Sequence, residues 1–305
     1  MKYSFIINPN SKSGKGGSVW DVEHKELEER EVDYEYFFTK KPKHAIHYTN
    51  ELTSDGQEHN IVVLGGDGTL NEVVNGIEDL EKVTIGYIPT GSGNDFCRGM
   101  KMPKDPVKAL DRILDSDNVR KIDVGLIERA GRIRRFIVST GIGFDAAICH
   151  QVSVSKYKRI LNKLHLGKLS YVFVALNRLF KDEKVKTYVS VDGNEAVKYN
   201  DTYFVAIMNN PYEGGGFKFC PKASASDRKI NAIVISKISK LKVLLLLPTA
   251  IFGLHVHFDG VTMLEGERIN IRTDRSLPVH VDGEPLYLRK DITVTLEEKQ
   301  LKVFA

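Results

Sequence analysis

Two places in this 305-residue sequence combine residue types that could handle a phosphate and a proton. The first is Ile61-Val62-Val63-Leu64-Gly65-Gly66-Asp67-Gly68-Thr69-Leu70-Asn71-Glu72, where a β-branched apolar run stops at glycines. Leu70, Val73, Val74 and Ile77 then recur at helical spacing, so a strand, a tight turn and a helix are expected. Thr69 and Glu72 have the spacing of a capping box, which puts the helix start at Thr69. Free N–H groups at a helix start, behind a loop without side chains, favour an anion such as phosphate. An ordinary βα turn needing positive φ would use the same glycines. Asp67 favours the phosphate site, because a carboxylate there needs a metal or a lysine to share it. The second place is His280-Val281-Asp282-Gly283-Glu284-Pro285, where two carboxylates flank a glycine at the end of a strand. Plain β-turns also have this form.

The flanking sequence indicates what holds these residues. Lys2 to Ile7 reads as a strand running into Asn8-Pro9-Asn10-Ser11-Lys12-Ser13-Gly14-Lys15-Gly16-Gly17, a loop of turn formers, after which Ser18 caps a helix through Arg30. The loop is not a P-loop, since Gly16 stands where Ser or Thr would follow Lys15. A strand at Tyr34–Phe38 ends at Thr39, and a helix over Pro42–Thr53 leads to the strand at Ile61. Thr84 to Ile88 forms another strand before Pro89-Thr90-Gly91-Ser92-Gly93-Asn94-Asp95-Phe96, where Ser92 and Asp95 repeat the capping-box spacing. This alternation predicts a doubly wound, Rossmann-like α/β domain with a parallel sheet, and ligands beyond the strands' carboxyl ends. From Arg120 onward helices become scarce and short Val, Ile and Tyr runs recur between turns, which predicts a β-sandwich. The expected division is 1–120 and 121–289. Gly141-Ile142-Gly143-Phe144-Asp145-Ala146 fits GxGxxA but lacks the later acid and the βαβ setting of a dinucleotide site, so it reads as close backbone packing.

A composition of 42% apolar and 28% charged residues is that of a globular chain, not a disordered or fibrous one. Tyr3–Ile7 enters a strand without the basic and apolar regions of a signal peptide. The longest apolar stretch, Val243–Leu254, carries Pro248 and Gly253 and falls below the roughly 20 residues that span a bilayer, so a cytoplasmic protein is expected. Cys97, Cys149 and Cys220 read as reduced thiols, and no zinc site is expected. A net charge of +4 does not indicate a nucleic-acid partner. Between Lys156 and Lys186, nine Lys or Arg stand against Asp182 and Glu183 among apolar residues. Such a segment suits an anionic membrane surface, although a solvated amphipathic helix has the same composition.

Gly65-Gly66-Asp67-Gly68-Thr69-Leu70-Asn71-Glu72 resembles the nucleotide motif of the diacylglycerol kinase catalytic-domain family, in its bacterial soluble lipid kinase branch. The pentapeptide is shared with NAD kinases and 6-phosphofructokinases, whereas Pro89–Phe96 is similar to a segment expected of the lipid branch. Asn8–Gly14 resembles that family's first nucleotide loop, offset by two residues, and Asn209–Phe217 its glycine-rich loop. The resemblance implies ATP and Mg²⁺ as cofactors. It implies nucleotide contacts at Asn8, Asn10, Ser11, Lys12, Thr39, Gly65, Gly66, Asp67, Gly68, Thr69, Asn71, Glu72, Ser92 and Asn94. It further implies a structural Mg²⁺ at Asp227 with the carbonyls of Ser224 and Lys229, although Arg228-Lys229 makes that electrostatically awkward. Glu284 is the implied catalytic base, Asp282 either orients it or binds the catalytic Mg²⁺, and Asp67 binds that metal or a lysine. The implied reaction is phosphorylation of a membrane lipid alcohol, foremost diacylglycerol to phosphatidic acid, at the inner face of the membrane through the 156–186 segment. NAD kinase-type and sphingoid- or ceramide-type reactions are the alternatives. Residues 290–305 are expected to return to the first domain, and a homodimer is left open.

Overall fold

The computed structural model describes residues 1–115, 118–129, 132–154, 183–286 and 288–304. The chain divides into two compact units, Met1–Val124 with Glu297–Ala305, and Gly125–Leu296. Most of the expected membrane segment 156–186 lies outside the described residues.

In the first unit, β1 (Tyr3–Ile7), β2 (Tyr34–Phe38), β3 (His59–Gly65) and β4 (Val83–Pro89) pair in parallel in the order β2-β1-β3-β4. β17 (Leu301–Phe304) adds in parallel to β4, and β5 (Val119–Ile122) closes the sheet antiparallel to β17. Every residue of β1 and β4 is buried, as a sheet covered on both faces requires. Helices α1 (Ser11–Glu29) and α5 (Pro106–Asp115) pack Trp20, Leu27, Leu110 and Ile113 onto Phe5, Val62 and Ile88. The returning segment starts at Glu297, not at 290: β16 (Arg289–Leu296) pairs with β13 (Ile269–Leu277) and β6 (Gly125–Arg129) in the second unit.

The expected helix starts move, α2 (His44–Thr53) beginning at His44 rather than Pro42. Helix α3 (Asp67–Gly76) begins at Asp67 with Gly66 as its N-cap, so Thr69 lies inside it and makes no capping box with Glu72. Glu72 instead accepts the N–H groups of Lys43 and Ala45 at 2.8 and 3.3 Å, and so caps α2 (His44–Thr53). Helix α4 (Asp95–Gly99) starts from Asn94 in the left-handed region, without a cap bond from Ser92. Ser18 does not start α1, because Lys12, Ser13 and Gly14 interrupt it at positive φ and regular helix follows directly.

The second unit is an antiparallel sheet whose strands follow the order β15-β14-β8-β10-β9-β13-β16-β6-β7, with β11 and β12 branching from β10. The remaining ranges are β7 (Arg132–Phe136), β8 (Ser139–Gly143), β9 (Val185–Val191), β10 (Val197–Met208), β11 (Ile230–Ser236), β12 (Val261–Gly266), β14 (Val279–Val281) and β15 (Glu284–Pro285). β10 pairs its first half with β9 and its second half with β8 and β11, breaking register between Tyr199 and Thr202. Alternation along it sends Val205 and Ile207 to a core with Ile142, Val189, Ile271 and Val294, and Phe204, Ala206 and Met208 to a second core with Ile233 and Leu246. One antiparallel sheet supplies both walls of the first core, the sandwich-like arrangement expected. Helices α6 (Phe144–Val154) and α7 (Lys240–Ile251) are the α-helices described in this unit.

Candidate active site

The loops after β1, β3 and β4 leave the same, carboxyl-terminal edge of the parallel sheet and bind one another. Asn8 donates its N–H to the Leu64 carbonyl, Thr39 to Ile7 and Thr90 to Gly65, at 2.8–2.9 Å, so the ladder runs one residue beyond each strand. The Asn8 amide donates to Thr69 Oγ1 at 3.0 Å, and the Ser11 and Thr90 hydroxyls meet at 2.7 Å. Asn10 closes the first turn by donating its N–H to Asn8 Oδ1. The glycines serve close approach: Gly65, Gly66 and Gly68 do not adopt positive φ. A Cβ on Gly91 would stand 2.6 Å from Gly66 Cα, so the two loops touch backbone to backbone.

Asp67 joins these loops. Its carboxylate accepts the N–H groups of Asp95 and Phe96 at 3.0 and 3.2 Å, occupying the start of α4. Burial pushes the carboxyl above its ordinary range, against these backbone donors. Asn94 donates to Gly91 O at 3.2 Å and stands 3.5 Å from the hydroxyl of buried Tyr87. Arg98 Nε lies 3.8 Å from Asp95 Oδ1. Asn71 is buried and accepts the Asn75 amide, whereas Lys12 and Ser92 are exposed on their loops. The corner therefore gathers Asn8, Ser11, Asp67, Thr69 and Asn94, while Glu72 is engaged at α2.

In the second unit, Asp282 and Gly283 form a two-residue hairpin turn between β14 and β15, both at positive φ as a type I′ turn demands. Asp282 spends its carboxylate on the backbone: Oδ2 accepts Ile137 N–H at 3.0 Å, and Oδ1 accepts Val138 and Ser139 N–H at 2.9 Å each. Its own N–H donates to Ser139 O at 2.8 Å. The turn is thereby fixed to the segment between β7 and β8. Glu284 follows it, half-buried, with Oε2 taking a 2.8 Å bond from Arg134 Nη2. Asp282 therefore ties its own turn to Ile137–Ser139, next to Glu284 in the chain.

Beneath the turn lies a buried triad absent from the sequence expectations. His280 Nε2 lies 3.2 Å from both Asp145 Oδ2 and Glu213 Oε1. A Cβ on Gly141 would stand 2.0 Å from the Asp145 carboxylate, which explains the glycine in that weak dinucleotide match. Glu213 reaches the site because Gly214, Gly215 and Gly216, all at positive φ, fold the chain back to a Glu213–Phe217 bridge. Three such residues within 4.8 Å could hold a metal ion. Gly283 donates its N–H to His280 Nδ1 at 3.2 Å, a bond the ring accepts only while neutral, with its proton on Nε2 facing the two carboxylates. The cluster is a proton-sharing group. Burial opposes charge on His280, but Glu213 and Asp145 outweigh it, with Asp282 adding to them, and push the imidazole up to about 9.

The residues implied for a structural Mg²⁺ lie in the turn before β11. Asp227 Oδ1 accepts Lys229 N–H at 3.1 Å, the Ser224 and Ser226 hydroxyls pair at 3.2 Å, and the Lys229 ammonium bonds Glu265 at 2.7 Å.

Comparison with known proteins agrees with both halves of the chain. Residues 2–127 match the diacylglycerol kinase catalytic domain, and residues 138–305 match the YegS C-terminal NAD kinase beta sandwich-like domain. The candidate lipid kinase YtlR of Bacillus subtilis is 31% identical over 293 residues, 92% of each chain. This chain belongs to the diacylglycerol kinase catalytic-domain family. A diacylglycerol kinase of Staphylococcus carnosus is 30% identical over 73% of this chain and 69% of its own. Among solved structures, a candidate diacylglycerol kinase from Bacillus anthracis superposes with a TM-score of 0.78 at 23% identity, covering 99% of this chain and 94% of that one. An Archaeoglobus fulgidus NAD kinase in complex with ATP shares the fold at a TM-score of 0.57 and 15% identity, over 100% of this chain and 94% of its own. Membership supports a kinase activity, and the fold is the one shared by lipid and NAD kinases. Among the described residues, no helix is long and apolar enough to cross a membrane.

The sequence expectations missed Arg134, Glu213 and His280. Arg134 had no local signal, because its partner Glu284 is 150 residues away. Glu213 and His280 each stood inside a segment already singled out, and only the fold could bring them together.

Proposed function

We propose that this protein transfers the γ-phosphate of ATP to the hydroxyl of a membrane lipid, diacylglycerol first, giving phosphatidic acid from the inner face of the membrane. The observation that carries the reading is the anchored turn, which holds Glu284 by Asp282 on one side and Arg134 on the other. A general base must be held within hydrogen-bond reach of the proton it takes, and such anchoring supplies the required stiffness. The acceptor oxygen attacks the γ-phosphorus, its proton passes to the Glu284 carboxylate, the bond to the β-phosphate oxygen breaks, and ADP leaves. Mg²⁺ enters as part of the nucleotide substrate and neutralises phosphate charge. The loop of Asn8–Lys12 and the start of α3 supply N–H donors and Lys12 a cation for the phosphates. Asp67 holds the two glycine loops together, so its part in nucleotide binding is positional.

The test offers labelled ATP with diacylglycerol vesicles, with sphingosine or ceramide, and with NAD. Label in phosphatidic acid is expected, and label only in NADP would move the activity to the NAD kinase reaction. Glu284→Gln should retain ATP affinity and lose at least about a hundredfold in turnover, within the usual range for general base catalysis. Turnover near wild type would remove Glu284 from that role.

A further inference from the structure

The outward face of α7 runs against the usual pattern of a surface helix. Leu241, Leu245, Pro248 and Phe252 follow one another at helical spacing and all are exposed, while Leu246 and Ala250 face the core. Leu245 is 67% and Phe252 73% exposed, and Leu254 and Phe258 continue the surface through the 3-10 turn Leu254–His257. A surface helix normally turns polar residues outward, and a contiguous apolar patch on a globular protein marks a contact surface. The charges along it are cationic, with Asp201 and Asp259 at its edges. From Lys237 to Phe258 the chain has Lys237, Lys240 and Lys242 and no Asp or Glu. Lys218 lies against the end of the helix, where a Cβ on Gly253 would meet its side chain at 3.3 Å.

We propose that this face docks the protein on an anionic bilayer, with the leucines and Phe252 entering the acyl boundary and the lysines at the headgroups. The proposal rests on the lipid-kinase reading above, since it names the surface from which such an enzyme would meet its substrate. The chemistry favours a membrane over a second copy of the chain. A two-fold contact presents the same patch from both partners and would set lysine against lysine, whereas anionic lipid neutralises them. Apolar side chains backed by lysines are also the composition of helices that lie in a membrane interface.

Co-sedimentation with phosphatidylglycerol-containing vesicles, compared with phosphatidylcholine alone, tests this on the full chain. Wild type should bind the anionic vesicles, and Leu245→Asp/Phe252→Asp should bind at least tenfold more weakly. Lys237→Glu/Lys240→Glu should lose the preference for anionic lipid. Phe252→Trp gives a gain-of-signal check: its emission should be quenched by brominated lipid, while wild type, whose Trp20 is buried, should not respond. Unchanged vesicle binding by the Asp pair together with an unquenched Trp at 252 would overturn the proposal. So would an Asp pair that converts a dimer to a monomer while leaving vesicle binding intact. Short-chain diacylglycerol separates the two readings. If docking alone is affected, wild type and the Asp pair should phosphorylate dioctanoylglycerol equally. Vesicle binding by a wild type that phosphorylates no lipid would leave the docking face standing and remove the lipid-kinase reading.

Discussion

Replacing Asp282 with Asn changes one oxygen to an NH₂ group and leaves the size and turn preference of the residue nearly intact. In the wild type, Oδ1 serves two amides and Oδ2 serves Ile137. Asn can keep an oxygen toward Val138 and Ser139, but its NH₂ then faces the Ile137 N–H, donor against donor. One bond to a charged acceptor is lost, at about 1.5–3 kcal/mol, and two others weaken as the charge disappears. The expected destabilisation is about 3 kcal/mol, which for a unit of this size lowers its melting temperature by roughly 6–12 °C. Asp282→Ala should cost more, because it loses all three bonds and places a residue with poor left-handed tolerance at φ 45°. Calorimetry or urea unfolding measures the loss. A turnover assay should show kcat falling about tenfold or more with the KM for ATP unchanged, since the displaced group is Glu284. An Asn variant within about 0.5 kcal/mol of wild type and fully active would refute the anchoring argument.

The remaining expectations concern buried charge. Glu23 is buried on α1, its carboxylate makes no hydrogen bond among the described residues, and burial, with Asp111 and other acids nearby, raises it from 4.5 to about 7. The folded state thus holds the proton more tightly than the unfolded chain, so this contribution to stability is complete below pH 4.5 and disappears as pH rises through about 7. Glu23→Met should therefore stabilise the protein at pH 8 by up to about 3 kcal/mol, seen as a higher urea midpoint; a gain no larger at pH 8 than at pH 5 would contradict it. His280 follows the same sign: its contribution is complete below pH 6.5 and lost as pH rises through about 9. His280→Gln should flatten stability across that window in a pH series of melting curves, and an unchanged slope would show that the triad does not titrate there. Asp67→Ala should free the start of α4 and weaken ATP binding by about tenfold, near 1.4 kcal/mol, by calorimetric titration; unaltered affinity would show that the glycine loops hold without it.

The parallel sheet was legible because its strands are continuous apolar runs, each stopped by turn residues, and the glycine corner because Gly65–Thr69 and Gly91–Phe96 are local signatures. The sequence failed where partners are distant. Thr69 and Glu72 have capping-box spacing, yet a carboxylate able to reach α2 found two amides there. Ser92 and Asp95 have the same spacing, and Asp67, from another loop, took the amides instead. Strand β8 was obscured by its glycines, Gly141 leaving room for Asp145 and His280 and Gly143 lying against Tyr203 and Phe204, and β12 has no alternation strong enough to mark it. Apart from the resemblance, Asp282 and Glu284 looked equivalent as neighbouring carboxylates. Their different partners, the amides of Ile137–Ser139 for one and Arg134 for the other, are far away in sequence.

The place of β17 also bears on how the protein is made. Leu301, Val303 and Phe304 are buried between β4 and β5, so the first sheet has an inner strand drawn from the chain that follows the second unit. During synthesis, the glycine loops emerge early, on a sheet whose β4 edge waits for a partner until the entire second unit has been translated. Deleting the residues after Leu296 should consequently impair the nucleotide corner, hundreds of positions upstream, more than it impairs the sandwich beside the cut.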